Sequence, residues 1–176
     1  MQEAAAHWVM EALSRYEAQL LRYATTLVGR SLAADVVQDT FLELCRAKRE
    51  QVEGHLAAWL FTVCKHRALD VGKRERRLRS LEEADVDEMP DSGPVSKLER
   101  REAASRVSAA LAALPARERE ALLLKLDGGL SYKEIAEVMG LTPSNVGFIL
   151  HGALKRLQRE IMGEAGVPVR TAGRTS

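Results

Sequence analysis

The sequence predicts an all-α fold in which two small helical domains are joined by a flexible acidic linker. Three observations carry this prediction. Ala, Leu, Glu and Arg dominate the 176 residues, and no long alternating run of β-branched residues interrupts them. The apolar share of 46% can fill real cores, although aromatics supply only 5%. The charge is also unevenly spread. The whole chain is +1, yet residues 79–99 hold two basic and seven acidic side chains together with Pro90, Gly93 and Pro94. Such a stretch has too little apolar surface to fold alone. The remainder carries 24 basic and 18 acidic side chains, a net +6. The expected boundaries are residues 1–78 for the first domain, 79–99 for the linker and 100–163 for the second domain. A disordered tail is expected over 164–176.

The first domain reads as three main helices. One spans about Glu3 to Leu27, with Leu13, Tyr16, Leu20, Tyr23, Ala24 and Leu27 at spacings of three and four, and Gly29 ends it. Ser31 is expected to cap the second helix, which runs to Glu50 and carries Asp35 in its first turn, where the helix dipole favours a carboxylate. Val37, Phe41 and Leu44 form its buried stripe, leaving Asp35, Gln38, Asp39 and Glu43 on the other side. That polar face is either solvated or a docking surface for a basic partner. A third helix starts near His55. Its first half is apolar, with Trp59 and Phe61; its second half carries Lys65, Arg67, Lys73, Arg74, Arg76 and Arg77. Cations at a helix C-terminus complement the dipole, and six of them also make a phosphate-binding strip. Trp59 is either core or a platform on which an unstacked base can lie.

In the second domain, residues 131–150 have every feature of a helix-turn-helix. Ser131 with Glu134 three residues later is a capping box. Ile135, Val138 and Met139 give an apolar face, and Ala136 is small where two helices cross. Gly140 stands where the first helix must stop. Thr142 and Pro143 read as an N-cap and a first helical position, and Val146, Ile149 and Leu150 turn the second helix onto the first. Upstream, Arg100–Leu114 and Ala116–Leu126 read as a helical platform, with Pro115 at a helix start and Asp127, Gly128 and Gly129 in a turn.

Other classes find no support. No apolar run approaches the roughly 20 residues that span a bilayer, and the N-terminus lacks a basic start followed by an apolar stretch, so a cytoplasmic protein is expected. Cys45 and Cys64 fall inside predicted helices and read as small buried residues; no metal-ligand spacing involves them or His55 and His66. No cofactor or metal is expected. No Gly-rich phosphate loop or nucleophile motif is present, so no enzyme is expected.

DVVQDTFLEL followed by WLFTVCKHRALDVGKRERR resembles the second conserved region of bacterial extracytoplasmic-function (ECF) sigma factors. ALAALPAREREALLLKLDGGLSYKEIAEVMGLTPSNVGFILHGALKRLQRE resembles their fourth region. The resemblance implies a subunit that binds core RNA polymerase and directs it to promoters. Region 2 would melt the −10 element and region 4 would read the −35 element. It implies that Asp35, Gln38, Asp39 and Glu43 face the polymerase, with Val36 and Phe41 as packing residues. Trp59, Lys65, His66, Arg67 and Asp70 would handle the opened −10 strand, and Lys73, Arg74, Arg76 and Arg77 its phosphates. Melting would be driven by trapping flipped bases, each stacking contact contributing about 1–3 kcal/mol. In the fourth region Ser144, Asn145 and Phe148 would reach bases, Gly147 would permit close approach, and His151, Lys155 and Arg156 would meet the DNA backbone. The resemblance also implies an anti-sigma partner. The chain departs from the family at His66, where asparagine is very common, and at Gly147, Ile149 and Gly152 in a helix that commonly carries basic residues. A stand-alone helix-turn-helix regulator is the alternative, although the chain has no strong dimerisation heptad.

Overall fold

The computed structural model describes residues 2–79 and 107–163, and every regular element among them is helical. In order these are α1 (Gln2–Val28), α2 (Arg30–Arg46), α3 (Arg49–Val52), a 3₁₀ turn (Glu53–His55) and α4 (Leu56–Arg79). Then come α5 (helical over 107–113), α6 (Ala116–Leu126), α7 (Tyr132–Met139) and α8 (Pro143–Gly163). The expectations for the acidic segment beyond Arg79 and for the tail 164–176 lie outside the described residues.

Helices α1, α2 and α4 pack as a three-helix bundle. Its buried side chains include Leu20, Tyr23 and Ala24 from α1, Val36, Val37, Phe41 and Leu44 from α2, and Leu60, Phe61, Cys64 and Ala68 from α4. Thr40, a buried polar residue of α2, donates its hydroxyl to Val36 O at 2.8 Å and so carries no desolvation penalty.

Four details differ from the sequence reading. Ser31 does not cap α2, because the helix already begins at Arg30, behind Gly29. Gly29 has φ 80°, a conformation that costs glycine little, and it stands as the N-cap itself, turning α1 into α2 without a side-chain cap bond. Asp35 therefore falls beyond the first turn of α2. The helix ends at Arg46 rather than Glu50, because Ala47 is extended at ψ 148° and the chain restarts in α3. Finally, Cys45 is exposed while Cys64 is buried: Leu44 takes the inward position on α2, and its neighbour Cys45 is rotated out of the core.

The second half is built on α6. Arg119 donates to Leu111 O, Ala112 O and Leu114 O, carbonyls at and just beyond the end of α5, where the helix ladder stops. The turn after α6 uses Gly129 at φ 64°. Ser131 caps α7 as expected, its hydroxyl accepting from Glu134 N while Glu134 Oε2 accepts from Ser131 N at 2.7 Å. Hydrogen bonding of the Glu134 carboxylate to the Ser131 side chain, and then to the Ser131 backbone N–H, lowers the pKa of that carboxyl. Gly140, at φ 65°, ends α7; Leu141 N reaches back to Ala136 O and Gly140 N to Glu137 O, which is a Schellman closure. Thr142 then accepts from Asn145 N as α8 begins at Pro143. α8 packs on α6 and α7, and Val146, Leu150 and Ala153 are buried in the same core as Leu122, Leu124 and Ile135. Full burial of one such Leu or Ile stabilises by about 1.5–3 kcal/mol, against about 1 kcal/mol for a cap, so packing holds the motif and the caps fix where its helices begin.

Candidate polymerase and nucleic-acid interfaces

Three surfaces carry the residues singled out by the sequence. On α2, Asp35, Gln38 and Asp39 are exposed. Beside them a groove of about 440 Å³ runs between α1 and α2, lined by Leu13, Leu21, Val37, Phe41 and Leu42 with Glu17 and Gln38 at its polar points. Glu43 differs from its three companions. Its Oε1 accepts from Arg46 at 2.9 Å and from Arg67 of α4 at 2.6 Å. Two residues expected to serve different partners are therefore tied to each other.

On α4, Trp59, His66, Asp70, Lys73 and Arg77 follow one another at helical spacing along about 27 Å of axis. His66, Asp70, Lys73, Arg74, Arg76 and Arg77 are exposed. Trp59 is half-buried and packs against the core, so only part of its ring is open to a base. Arg76 donates to Gly72 O within its own helix. Lys65 is not free: it is mostly buried and donates to Glu120 Oε1 of α6 at 2.8 Å.

Glu120 is the residue the sequence reading missed. The same oxygen accepts from the Tyr23 hydroxyl at 2.8 Å, so one carboxylate of the second half ties α1 and α4 of the first. Burial, and then the neighbouring Glu120 charge, push the Tyr23 phenol far above its ordinary pKa and keep it a donor. Arg22 binds Asp127 at 2.7 Å nearby, and Phe61 lies against the α6–α7 turn, edge-on to Tyr23 with centroids 5.2 Å apart. One signal was available: Glu120 stands four residues before Leu124, a charge on the apolar face of α6. The period alone does not say which partner neutralises it.

On α8, Ser144, Asn145, Phe148, His151 and Lys155 are exposed on the side away from Val146 and Leu150. Gly147 lies against Tyr132, where a Cβ would sit 3.6 Å from the ring. Arg156 donates to Glu118 Oε1 at 3.2 Å, so it braces α8 on α6. The other Glu118 oxygen is buried without a hydrogen-bond partner among the described residues.

An all-helical chain with a capped helix-turn-helix and a separate acidic-faced bundle defines a DNA-binding protein with a second binding surface. Residues 12–78 match the family described as Sigma-70 region 2, and residues 104–157 match Sigma-70, region 4. The chain is 31% identical over 161 residues to the ECF RNA polymerase sigma factor SigD of Mycobacterium tuberculosis, covering 86% of this chain and 76% of the relative. It is 32% identical over 146 residues to ECF RNA polymerase sigma factor EcfG of Rhodopseudomonas palustris, covering 78% and 76%. The fold is similar to that of the sigma factor RpoE of Bartonella quintana, solved in complex with the anti-sigma factor NepR. There the TM-score is 0.63 and the identity 26%, over 87% of this chain and 96% of that one. CnrH, solved with the cytosolic domain of CnrY, shares the fold at a TM-score of 0.58 and 22% identity, over 94% and 96%. The chain belongs to the ECF sigma factors, and it is a promoter-directing subunit of RNA polymerase. No described helix is long and apolar enough to cross a membrane.

Proposed function

We propose that this sigma factor divides its work between its two halves. The exposed acidic face of α2, at Asp35, Gln38 and Asp39, docks on basic residues of core polymerase, with the adjoining apolar groove taking part of the contact. Charged pairs of this kind give orientation and fast encounter. The basic face of α4 holds the opened −10 strand, and α8 reads the −35 duplex. Lys65 and Arg67 reach DNA only after leaving Glu120 and Glu43, so promoter engagement includes separating α4 from α6 at Glu120. The linker over 79–99 holds the two halves within reach of one promoter, which makes two weak sites into one specific reader. The protein acts in the cytoplasm, where its polymerase is, and the reading assigns it no catalysis. A protein inhibitor is its third partner, by similarity to RpoE captured with NepR.

The observation that carries the reading is the pairing of an exposed acidic face on α2 with a helix-turn-helix on the same chain, in regions matching sigma regions 2 and 4. The test is in-vitro transcription with bacterial core polymerase and a pool of promoter fragments. Start sites that depend on the protein are expected. The Asp39→Arg protein should bind core about tenfold more weakly, the effect of about 1.4 kcal/mol, and keep its contact with −35 DNA. Equal core affinity removes the role given to α2, and a dimer protecting a palindrome without polymerase favours the stand-alone regulator.

A further inference from the structure

We infer that α8 reads its −35 duplex through thymine methyl groups packed on Phe148, with Asn145 reading adenine, and makes no arginine or lysine contact to guanine. The inference rests on the reading of α8 as the −35 helix and names the bases that helix is built to recognise.

Phe148 is 81% exposed, more than any other large apolar side chain described. It supports no core: the inward positions around it belong to Val146 and Leu150. It stands in the second turn of the recognition helix, on the stripe formed by Ser144, Phe148, His151 and Lys155. In a helix-turn-helix this is the part of the helix that enters the major groove. A bare aromatic ring there offers no hydrogen bond to a base edge. What it offers is contact with the one apolar group displayed in that groove, the C5-methyl of thymine.

The neighbours narrow the choice further. From Pro143 to Leu154 the helix has no lysine or arginine, and the first cation is Lys155. Arg156 is taken by Glu118. The commonest guanine contact, a bidentate arginine or lysine on O6 and N7, is therefore unavailable over the three turns that reach bases. Asn145, exposed three residues before Phe148, has the amide that pairs with adenine N6 and N7. Gly147 faces the Tyr132 ring, where a Cβ would sit 3.6 Å away, so it lets α8 lie close on α7 and leaves Phe148 on the open side. The face thus matches an element of adenines and thymines.

The test uses holoenzyme formed from core polymerase and the full chain, on a promoter whose −35 element has been randomised and selected. Adenine and thymine should be enriched and no position should demand guanine. Each selected thymine is then replaced singly by deoxyuridine, which removes only the methyl group. One or two replacements should weaken binding about fourfold, the worth of one buried methyl-sized group. Phe148→Ala holoenzyme should be indifferent to the same replacements while melting at the wild-type temperature. Overturning results are an obligatory guanine, methyl loss without effect on the wild type, or equal methyl sensitivity in Phe148→Ala. If Phe148→Ala instead loses affinity for core polymerase while deoxyuridine is neutral, the ring serves a protein contact and the inference falls. A holoenzyme indifferent to the entire −35 element would bring down the assignment of α8 itself, an outcome distinguishable from failure of the methyl contact alone.

Discussion

Helices α4 and α8 face the same kind of ligand with opposite provisions. α4 is rich in cations, but two of them are already bound within the protein: Lys65 to Glu120 and Arg67 to Glu43. α8 presents a face with no cation before Lys155, and its Ser144, Asn145, Phe148 and His151 all stand exposed. One helix has the charge to hold a phosphate backbone and must give up internal partners to use all of it. The other is free to bind but has little charge with which to do so. A strand that must be captured needs the first kind of surface, and an intact duplex read by its base edges can be met by the second.

The largest effect separates the two sides of α8. Leu150→Ala opens a cavity under the helix and should cost about 2–5 kcal/mol, read as a lower melting temperature and loss of −35 dependence. Phe148→Ala, on the opposite side, should stay within about 0.5 kcal/mol in stability. Equal destabilisation would mean Phe148 is not a free surface. Next is the turn that meets Phe61. A Cβ at Gly128 would lie 2.6 Å from Leu130, 2.7 Å from Leu124 O and 2.9 Å from Phe61. The backbone oxygen cannot yield as a side-chain tip can, so Gly128→Ala should cost about 1–3 kcal/mol in thermal unfolding.

The third prediction concerns the bound cations of α4. Glu120→Gln removes the charge that holds Lys65 while keeping an acceptor for Tyr23. Losing the charged part of that bond should relieve about 1–2 kcal/mol of closure, so that the free protein binds a single-stranded −10 oligonucleotide about 5–30-fold more tightly. Unchanged affinity would show that Lys65 is not withheld from DNA, and the contrast between the helices would shrink to one of charge alone. The smallest effect is local. Ser131→Ala should cost about 1 kcal/mol of melting stability near neutral pH. Because Ser131 lowers the Glu134 pKa from its ordinary value of 4.5, that part of the cap is present above 4.5 and fades as the pH falls through the lowered value. The gap between wild type and Ser131→Ala should narrow in acid.

The sequence alone determined the helix-turn-helix almost residue by residue. A capping box, a left-handed glycine and a proline at the first helical position are local devices, and each acts within five residues of itself. The same locality made the buried stripe of α2 and the basic end of α4 legible, since helical period assigns faces without knowing what lies across from them. The start and end of α2 were less legible. A glycine at φ 80° did the work expected of Ser31, and an extended Ala47 broke a pattern that propensity would continue.

What only the tertiary structure decided is which charges are spoken for. Glu43, Lys65, Arg67 and Arg156 read from sequence as open surface groups, and each proved to have a partner on another helix. Glu120 meets Tyr23 across 97 positions and Lys65 across 55. Periodicity reports the direction a side chain takes from its own helix. The partner it meets there depends on how separate helices pack, and that is fixed by cores such as Phe61 against the α6–α7 turn, which no local pattern encodes.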